Sequence, residues 1–338
     1  MSGRVFVTGG TGFIGGNLLE RLVSEGREVV ALARSSPAAA TLRDRRVTPA
    51  PGDLADEEAL VEGMRGCEVL YHAAGINALC LCDPSPLYRT NVDGARRVVR
   101  AGARAGIRRI VLTSSAATIG EGRGCVGAEN SPHRGWFLSH YERSKHEGER
   151  AAFESAAAAG VELVSVNPAS VQGPGRTGGP ARLILDYLNG KLPVFVDATL
   201  SLVDVSDCIE GHLLAEARGR PGERYLLSGA TLSTGEALAL LSRLSGVRRR
   251  VRRLPPGAAL AVGTLAEAAG RLLGKRPVIC RETMRTVLHG HAYDGSKATR
   301  ELGLRYRSAE DTFRRALLWY AEHGCVPDGL PGLQSRPD

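Results

Sequence analysis

Residues Arg4 to Asn17, R-V-F-V-T-G-G-T-G-F-I-G-G-N, restrict what this chain can fold into more than any other stretch. Val5, Phe6 and Val7 are a short apolar run of the kind a buried parallel strand uses. Glycines follow at Gly9, Gly12 and Gly15, with Gly10 and Gly16 beside them. Leu18, Leu19, Leu22 and Val23 then recur at helical spacing. The order is strand, tight turn, helix. A turn this tight needs positive φ and close backbone approach, which a Cβ would block. The start of the helix offers unpaired N–H groups and a positive dipole end to an anion. Such a cradle suits a pyrophosphate, and its usual carrier is a dinucleotide. A glycine-rich structural turn without a ligand is the alternative, and the flanking strand and helix favour the ligand.

The remaining composition narrows the classes. At 338 residues the chain has room for a substantial core. Its net charge is +8, with a run of Arg248, Arg249, Arg250, Arg252 and Arg253. Such a run can touch nucleic acid or an anionic membrane. No aromatic residues interleave it, so a solvated face is the expectation and no nucleic-acid partner is expected. The seven cysteines, Cys67, Cys80, Cys82, Cys125, Cys208, Cys280 and Cys325, are scattered and show no metal-ligand spacing. No metal is therefore expected, and a reduced, cytoplasmic protein is. The chain opens on a core strand, so no leader is expected, and no apolar run approaches the ~20 residues of a membrane span.

After the cradle, strands and helices alternate. Glu28–Ala33 is a second strand, ending at Arg34. An acidic residue here would select NAD, whereas a basic one accommodates the 2′-phosphate of NADP. Arg34 points to NADP(H), with Arg43 as a second cation, and leaves NAD(H) open. Strands are predicted at Val47–Ala50, Val69–His72, Arg109–Thr113 and Val161–Asn167, and helices at Glu57–Met64, Tyr88–Ala105 and Tyr141–Ala159. This is the pattern of an α/β, doubly wound parallel sheet of Rossmann type. Residues 1–173 are assigned to the dinucleotide-binding domain, with 200–228 returning to it through strands at Leu200–Val205 and Glu223–Ser228. A smaller, mostly helical substrate lobe takes 174–199 and 229–330, with helices at Thr234–Leu244, Ala258–Leu273 and Asp311–Glu322. Residues 331–338 are read as a flexible tail.

The chemistry centres on Tyr141-Glu142-Arg143-Ser144-Lys145. Residues four apart share a helix face. A phenol near pKa 10 is a poor acid or base at neutral pH, and an ammonium one turn away pulls that value down. Tyr141 can then exchange a proton with a substrate oxygen, while Ser115 at the end of the fifth strand holds that oxygen. Chance accounts for many Tyr-x-x-x-Lys pairs. The cradle and Ser115 in the expected order argue for function here.

These motifs, with G-D-L, H-A-A-G, N-V-D-G, T-S-S-A, Y-x-x-S-K and N-P-x-x-x-x-G-P in order, resemble the extended short-chain dehydrogenase/reductase superfamily over nearly the whole chain. Within it the resemblance is to the dihydroflavonol-4-reductase-like group, which includes hopanoid-associated sugar epimerase-like proteins. The resemblance implies that Gly9, Gly12, Phe13, Ile14 and Gly15 hold the pyrophosphate and that Arg34 meets the 2′-phosphate. Asp53 and Leu54 would contact adenine, Ala73 the ribose pocket, and Asn91 the cofactor side of the site. Ser115, Tyr141 and Lys145 would be catalytic, with Lys145 also on the nicotinamide ribose and Pro168 against the nicotinamide. Ser115 is preferred to Ser114 because the last Ser before Ala takes that role in the family. Structural readings compete: Asp53 as a turn former, Asn91 as a helix-face filler, Pro168 as a strand terminator.

Three functions follow. The first is an NADPH-dependent reductase of a bulky, apolar ketone or aldehyde, reversible as an alcohol dehydrogenase. The second is a sugar-nucleotide epimerase or dehydratase with held NAD. The family's epimerases carry S-A-T-V-Y-G where this chain has S-A-A-T-I-G, and the stretch V-F-V-D-A-T-L-S lacks basic residues for a diphosphate. The third, a non-catalytic sensor, is disfavoured because Tyr141 and Lys145 are both kept. A homodimer through the long helices at Tyr88 and Tyr141 is what the resemblance implies.

Overall fold

Seven strands, all parallel, form the central sheet. From one edge to the other they are Arg224–Leu227, Glu162–Pro168, Arg109–Thr113, Val69–His72, Val5–Thr8, Val29–Ala33 and Thr48–Pro51. The chain starts at Val5–Thr8, winds outward to one edge, then returns and winds to the other. The reversal beside Val5–Thr8 opens a crevice at the carboxyl ends of the strands, where ligands of doubly wound sheets bind. The doubly wound α/β fold expected from the sequence is the fold observed. This computed structural model describes residues 3–277, 279–326 and 330–333.

Side-chain alternation builds a core on each face of the sheet. Val5 and Val7 pack with Leu18, Leu19, Leu22, Val111 and Tyr225 on one face. Phe6 packs with Leu70, Val98, Val99 and Ile110 on the other. The strands read as continuous apolar runs because both faces are covered. Pro51 is tolerated because Thr48–Pro51 lies at the sheet edge, where its missing N–H breaks no ladder.

Several expectations need correction. The helix predicted at Tyr88–Ala105 has three parts, an α-turn at Ser85–Tyr88, a π-turn at Arg89–Gly94 and an α-helix at Ala95–Arg104. The π-turn pushes the Asn91 carbonyl into a notch at Gly148, where an added Cβ would sit 2.0 Å from that oxygen. Helices at Ser36–Asp44, Ala181–Leu188 and Arg281–His289 were hidden among Ser, Pro, Gly and Arg residues. Arg224–Leu227 does return to the sheet. Thr199–Asp204 does not, because it pairs with Ser170–Gln172 and Ala230–Ser233 in a separate sheet. Ala298, Leu302 and Leu304, assigned to the lobe, pack into the core of the main sheet. The lobe has its own core around Leu238, Leu241, Phe313, Leu317 and Tyr320. Of the tail, Pro331–Leu333 forms a 3₁₀ turn against that core, and 334–338 lie outside the described residues.

The reduced state is also corrected. Cys80 and Cys280, 200 residues apart, form a disulfide. It ties the loop after Val69–His72 to the helix Arg281–His289 of the lobe. Sequence spacing gives no sign of such a pair. Among the described residues, no helix is long and apolar enough to cross a membrane.

Candidate active site

The turn between Val5–Thr8 and the helix Phe13–Ser24 is shaped by close backbone contacts. Gly9 has φ +75°, and a Cβ there would sit 2.6 Å from the Ala74 nitrogen. At Gly15 a Cβ would sit 2.1 Å from the Gly9 carbonyl oxygen, so the helix can approach the turn only as glycine. Gly12 is different: a Cβ there would meet only the Gly9 oxygen at 3.2 Å, so its outer side is open. Gly12 caps the helix without a side-chain bond, and no acidic residue lies in the first turn. The N–H groups and dipole end therefore face the crevice uncompensated, and the cradle fits a diphosphate. Phe13 and Ile14 open the helix, both partly buried against the core beneath.

The next strand ends at Ala33, and Arg34 follows, exposed. Among the described residues no carboxylate pairs with it. Ser35 caps Ser36–Asp44 and Arg43 lies in that helix's last turn, also exposed. The Asp53 carboxylate accepts from the Ala55 N–H at 2.9 Å, which makes it a turn former. Leu54 packs beside Gly94. Ala73 donates its N–H to the Thr8 carbonyl, and Ala74 donates to the Thr8 hydroxyl, so the first and fourth strands end level.

Gly75, Asn91 and Lys145 converge at the crevice. A Cβ on Gly75 would lie 3.2 Å from Asn91 Oδ1 and 3.8 Å from Lys145 Nζ. The Asn91 amide accepts from the Ile76 N–H and donates to the Ile76 carbonyl and the Ser144 hydroxyl. It is thus occupied in fastening the loop after His72 to the helix His140–Ala159. Pro168 is buried at the end of its strand, paired with Leu227.

Ser115 caps the 3₁₀ turn Ala116–Ile119. Tyr141 lies in the first turn of His140–Ala159, capped by Ser139. The Tyr141 residue is half-buried. Burial raises its pKa above the ordinary phenol value, while the Ser115 side chain and the charge of Arg176 act in the opposite sense. The phenol is therefore protonated at neutral pH. Ser114 is buried with its hydroxyl unpaired, and it is the Ser115 side chain that acts on the Tyr141 phenol. The Lys145 ammonium donates to the Thr113 carbonyl at 3.0 Å, and the charge of Arg176 acts on Tyr141. Burial lowers Lys145 to about 8, with Glu149 one turn along opposing.

Sequence reasoning missed Arg176, because the stretch Gly173–Pro180 is rich in Gly and Pro and shows no periodicity. Its guanidinium sits 5.0 Å from the Phe13 ring centre, above the start of the cradle helix, and burial lowers its pKa. It missed a second group as well. Glu121, almost wholly buried, accepts from or ion-pairs with His291 Nδ1 at 2.7 Å, and its backbone carbonyl meets His289 Nε2 at 3.1 Å. Ligand-type atoms of Glu121, His289 and His291 all lie within 4.8 Å of one another, the residue types of a metal site assembled from distant segments. Tyr293 adjoins them, its hydroxyl 3.2 Å from His291 Nδ1. Linear spacing carries no signal of this group.

Residues 5–228 match the model of the NAD dependent epimerase/dehydratase family. The chain belongs to that family. It is 35% identical to a putative dihydroflavonol 4-reductase of Synechocystis sp., over 95% of each protein. It is 32% identical to sterol demethylase protein B of Methylococcus capsulatus, over 95% of this chain and 99% of that one. A solved structure, that of gox2253, superposes with a TM-score of 0.83 and 29% identity, covering 96% of this chain and all of the other. As a family member with a reductase relative over 95% of its length, the chain is an NAD(P)-dependent oxidoreductase of the extended short-chain type, and a nicotinamide dinucleotide suits its cradle.

Proposed function

We propose that this epimerase/dehydratase family member is an NADP(H)-dependent reductase of a ring-bearing ketone or aldehyde, reversible as an alcohol dehydrogenase. One observation carries the reading: Tyr141, kept protonated by burial and with the Ser115 side chain acting on its phenol, lies at the carboxyl end of the sheet that also presents the glycine cradle. Gly9, Gly12 and Gly15 hold the diphosphate by backbone approach, and Phe13 and Ile14 present the first helical N–H groups. Arg34, with no carboxylate beside it, meets the 2′-phosphate and favours NADP(H) over NAD(H). Ala73 and Pro168 line the crevice, and Lys145 reaches the ribose.

When bound, the dihydronicotinamide supplies a hydride to the carbonyl carbon. The Ser115 hydroxyl orients the carbonyl oxygen, and Tyr141 gives that oxygen its proton. The phenolate left behind is stabilised by Arg176 and by Lys145, and then regains a proton from solvent. A ring-bearing, largely apolar substrate is supported by the two relatives, one named for a flavonol and one for a sterol.

The reading is tested by mixing purified protein with NADPH or NADH and a panel of cyclic ketones. Consumption of one NADPH per alcohol formed is expected, with NADH slower. Recovery of tightly held NAD together with turnover of a sugar nucleotide alone would replace the reductase by an epimerase.

A further inference from the structure

The helix Pro256–Leu272 has an unusual surface. Its sequence, P-G-A-A-L-A-V-G-T-L-A-E-A-A-G-R-L, is apolar except for one narrow stripe of Thr264, Glu267 and Arg271, yet only Ala259, Gly263 and Gly270 are buried. Gly263 lies in the seam against the helix Arg281–His289, and Gly270 packs on Lys275 and Pro277. A Cβ on Gly263 would sit 2.6 Å from Met284, so nothing larger fits there. The rest faces outward. Leu260, Val262, Leu265, Leu272, Leu273 and Ile279 are six of the eleven exposed large apolar side chains among the described residues, with Leu272 at 87% exposure. An outward helix face this apolar is normally covered by something, and a patch of this kind marks an interaction surface.

Charge says what covers it. Of the chain's 44 basic and 36 acidic residues, the segment 248–285 holds ten basic and two acidic, and the remainder is balanced. The whole net charge of +8 thus sits around this helix. Arg248, Arg250, Arg252 and Arg253 are exposed just before it, and Lys275 and Arg276 just after. Among the described residues of this segment, only Arg253 and Arg271 have a carboxylate within ion-pair reach. Apolar side chains flanked at both ends by free cations are the chemistry of a helix lying in the headgroup layer of an anionic bilayer.

We infer that Pro256–Leu272 docks the protein on an anionic lipid surface, its leucines entering the acyl boundary and its flanking arginines meeting the phosphates. The docked helix packs on Arg281–His289, which the Cys80–Cys280 disulfide ties to the loop beside the crevice. The site is thereby held next to the membrane. Docking of this kind is independent of which substrate the crevice takes.

The test is co-sedimentation of the full chain, with NADPH present, on vesicles of phosphatidylcholine alone or mixed with phosphatidylglycerol. The chain should pellet with the anionic vesicles, stay in solution with the neutral ones, and be released by salt. The double substitution Leu265→Glu and Leu272→Glu alters side chains already outside the fold. It should keep the thermal midpoint and NADPH binding while vesicle affinity falls roughly tenfold or more. A chain that stays in solution with anionic vesicles, or pellets regardless of vesicle charge, overturns the inference. So does a double variant that pellets like the parent. A parent dimer that the double variant converts to monomer, with no vesicle binding by either, assigns the face to a second copy instead.

Discussion

His140–Ala159 and Pro256–Leu272 are both alanine-rich helices, twenty and seventeen residues long, and their burial runs opposite to their polarity. The first is crowded with charged residues, yet it buries Glu142, Ser144 and Glu149. Each has partners: Arg134 and the Leu138 N–H on Glu142, Asn91 on Ser144, and Arg224, Ser165 and Asn167 on Glu149. The second has almost no polar residues and is mostly exposed. Burying polar groups is tolerable only when each is hydrogen-bonded, and leaving leucines in water is unfavourable unless another phase removes them. The first helix therefore uses its polar side chains to fix a site, and the second keeps its apolar ones for a contact outside the chain.

The largest expected effects come from forcing the two helices to exchange roles. Ala152, with no exposed surface, replaced by Glu places an unpaired carboxylate in the core and should lower stability by about 3–5 kcal/mol. Leu265→Glu, at a site 69% exposed, should change it by no more than about 0.5 kcal/mol. Chemical denaturation of both variants measures the gap, and equal losses would erase the contrast between the helices. Tyr141→Phe tests the polar helix as a catalytic element. Turnover should fall roughly a thousandfold, with NADPH binding by calorimetry nearly unchanged.

Smaller effects are expected within the crevice. Arg34→Asp should weaken NADPH binding by roughly tenfold to a hundredfold and leave NADH binding little altered, as titration of each cofactor would show. Lys145→Met carries a pH signature. Lys145 sits at about 8 in the folded chain, below its ordinary 10.5. Below pH 8 it is charged in both states, and the folded chain bears the full cost of burying the ammonium. Between about 8 and 10.5 the unfolded chain binds the extra proton, so folded stability rises with pH. The advantage of Lys145→Met in thermal midpoint should thus be greatest below pH 8 and shrink as pH rises above it. A gap independent of pH would contradict this account of Lys145.

Much of the fold and of the site is legible in the order of the amino acids alone. The apolar runs of the sheet, the glycine cradle and the order of Ser115, Tyr141 and Lys145 are local patterns, and local patterns survive folding. What the order hides is set by tertiary contact. Arg176 comes to Tyr141 because an irregular loop folds back over Phe13. Glu121 meets His289 and His291 across half of the chain length. Lys145 also donates to the Thr113 carbonyl, which ends a neighbouring strand, a contact that its spacing from Tyr141 does not announce. Cys80 finds Cys280 in the same non-local way. The arginines at 248–253, read alone as a solvated face, gain meaning only beside the exposed leucines that follow them.

Isotope transfer is the decisive measurement for the redox chemistry. The protein is given a cyclic ketone and NADPH carrying deuterium at the transferable position of the ring. The account predicts an alcohol with deuterium on its carbinol carbon, formed by the parent chain and not by Tyr141→Phe. An alcohol without deuterium, or equal transfer by both chains, would contradict it.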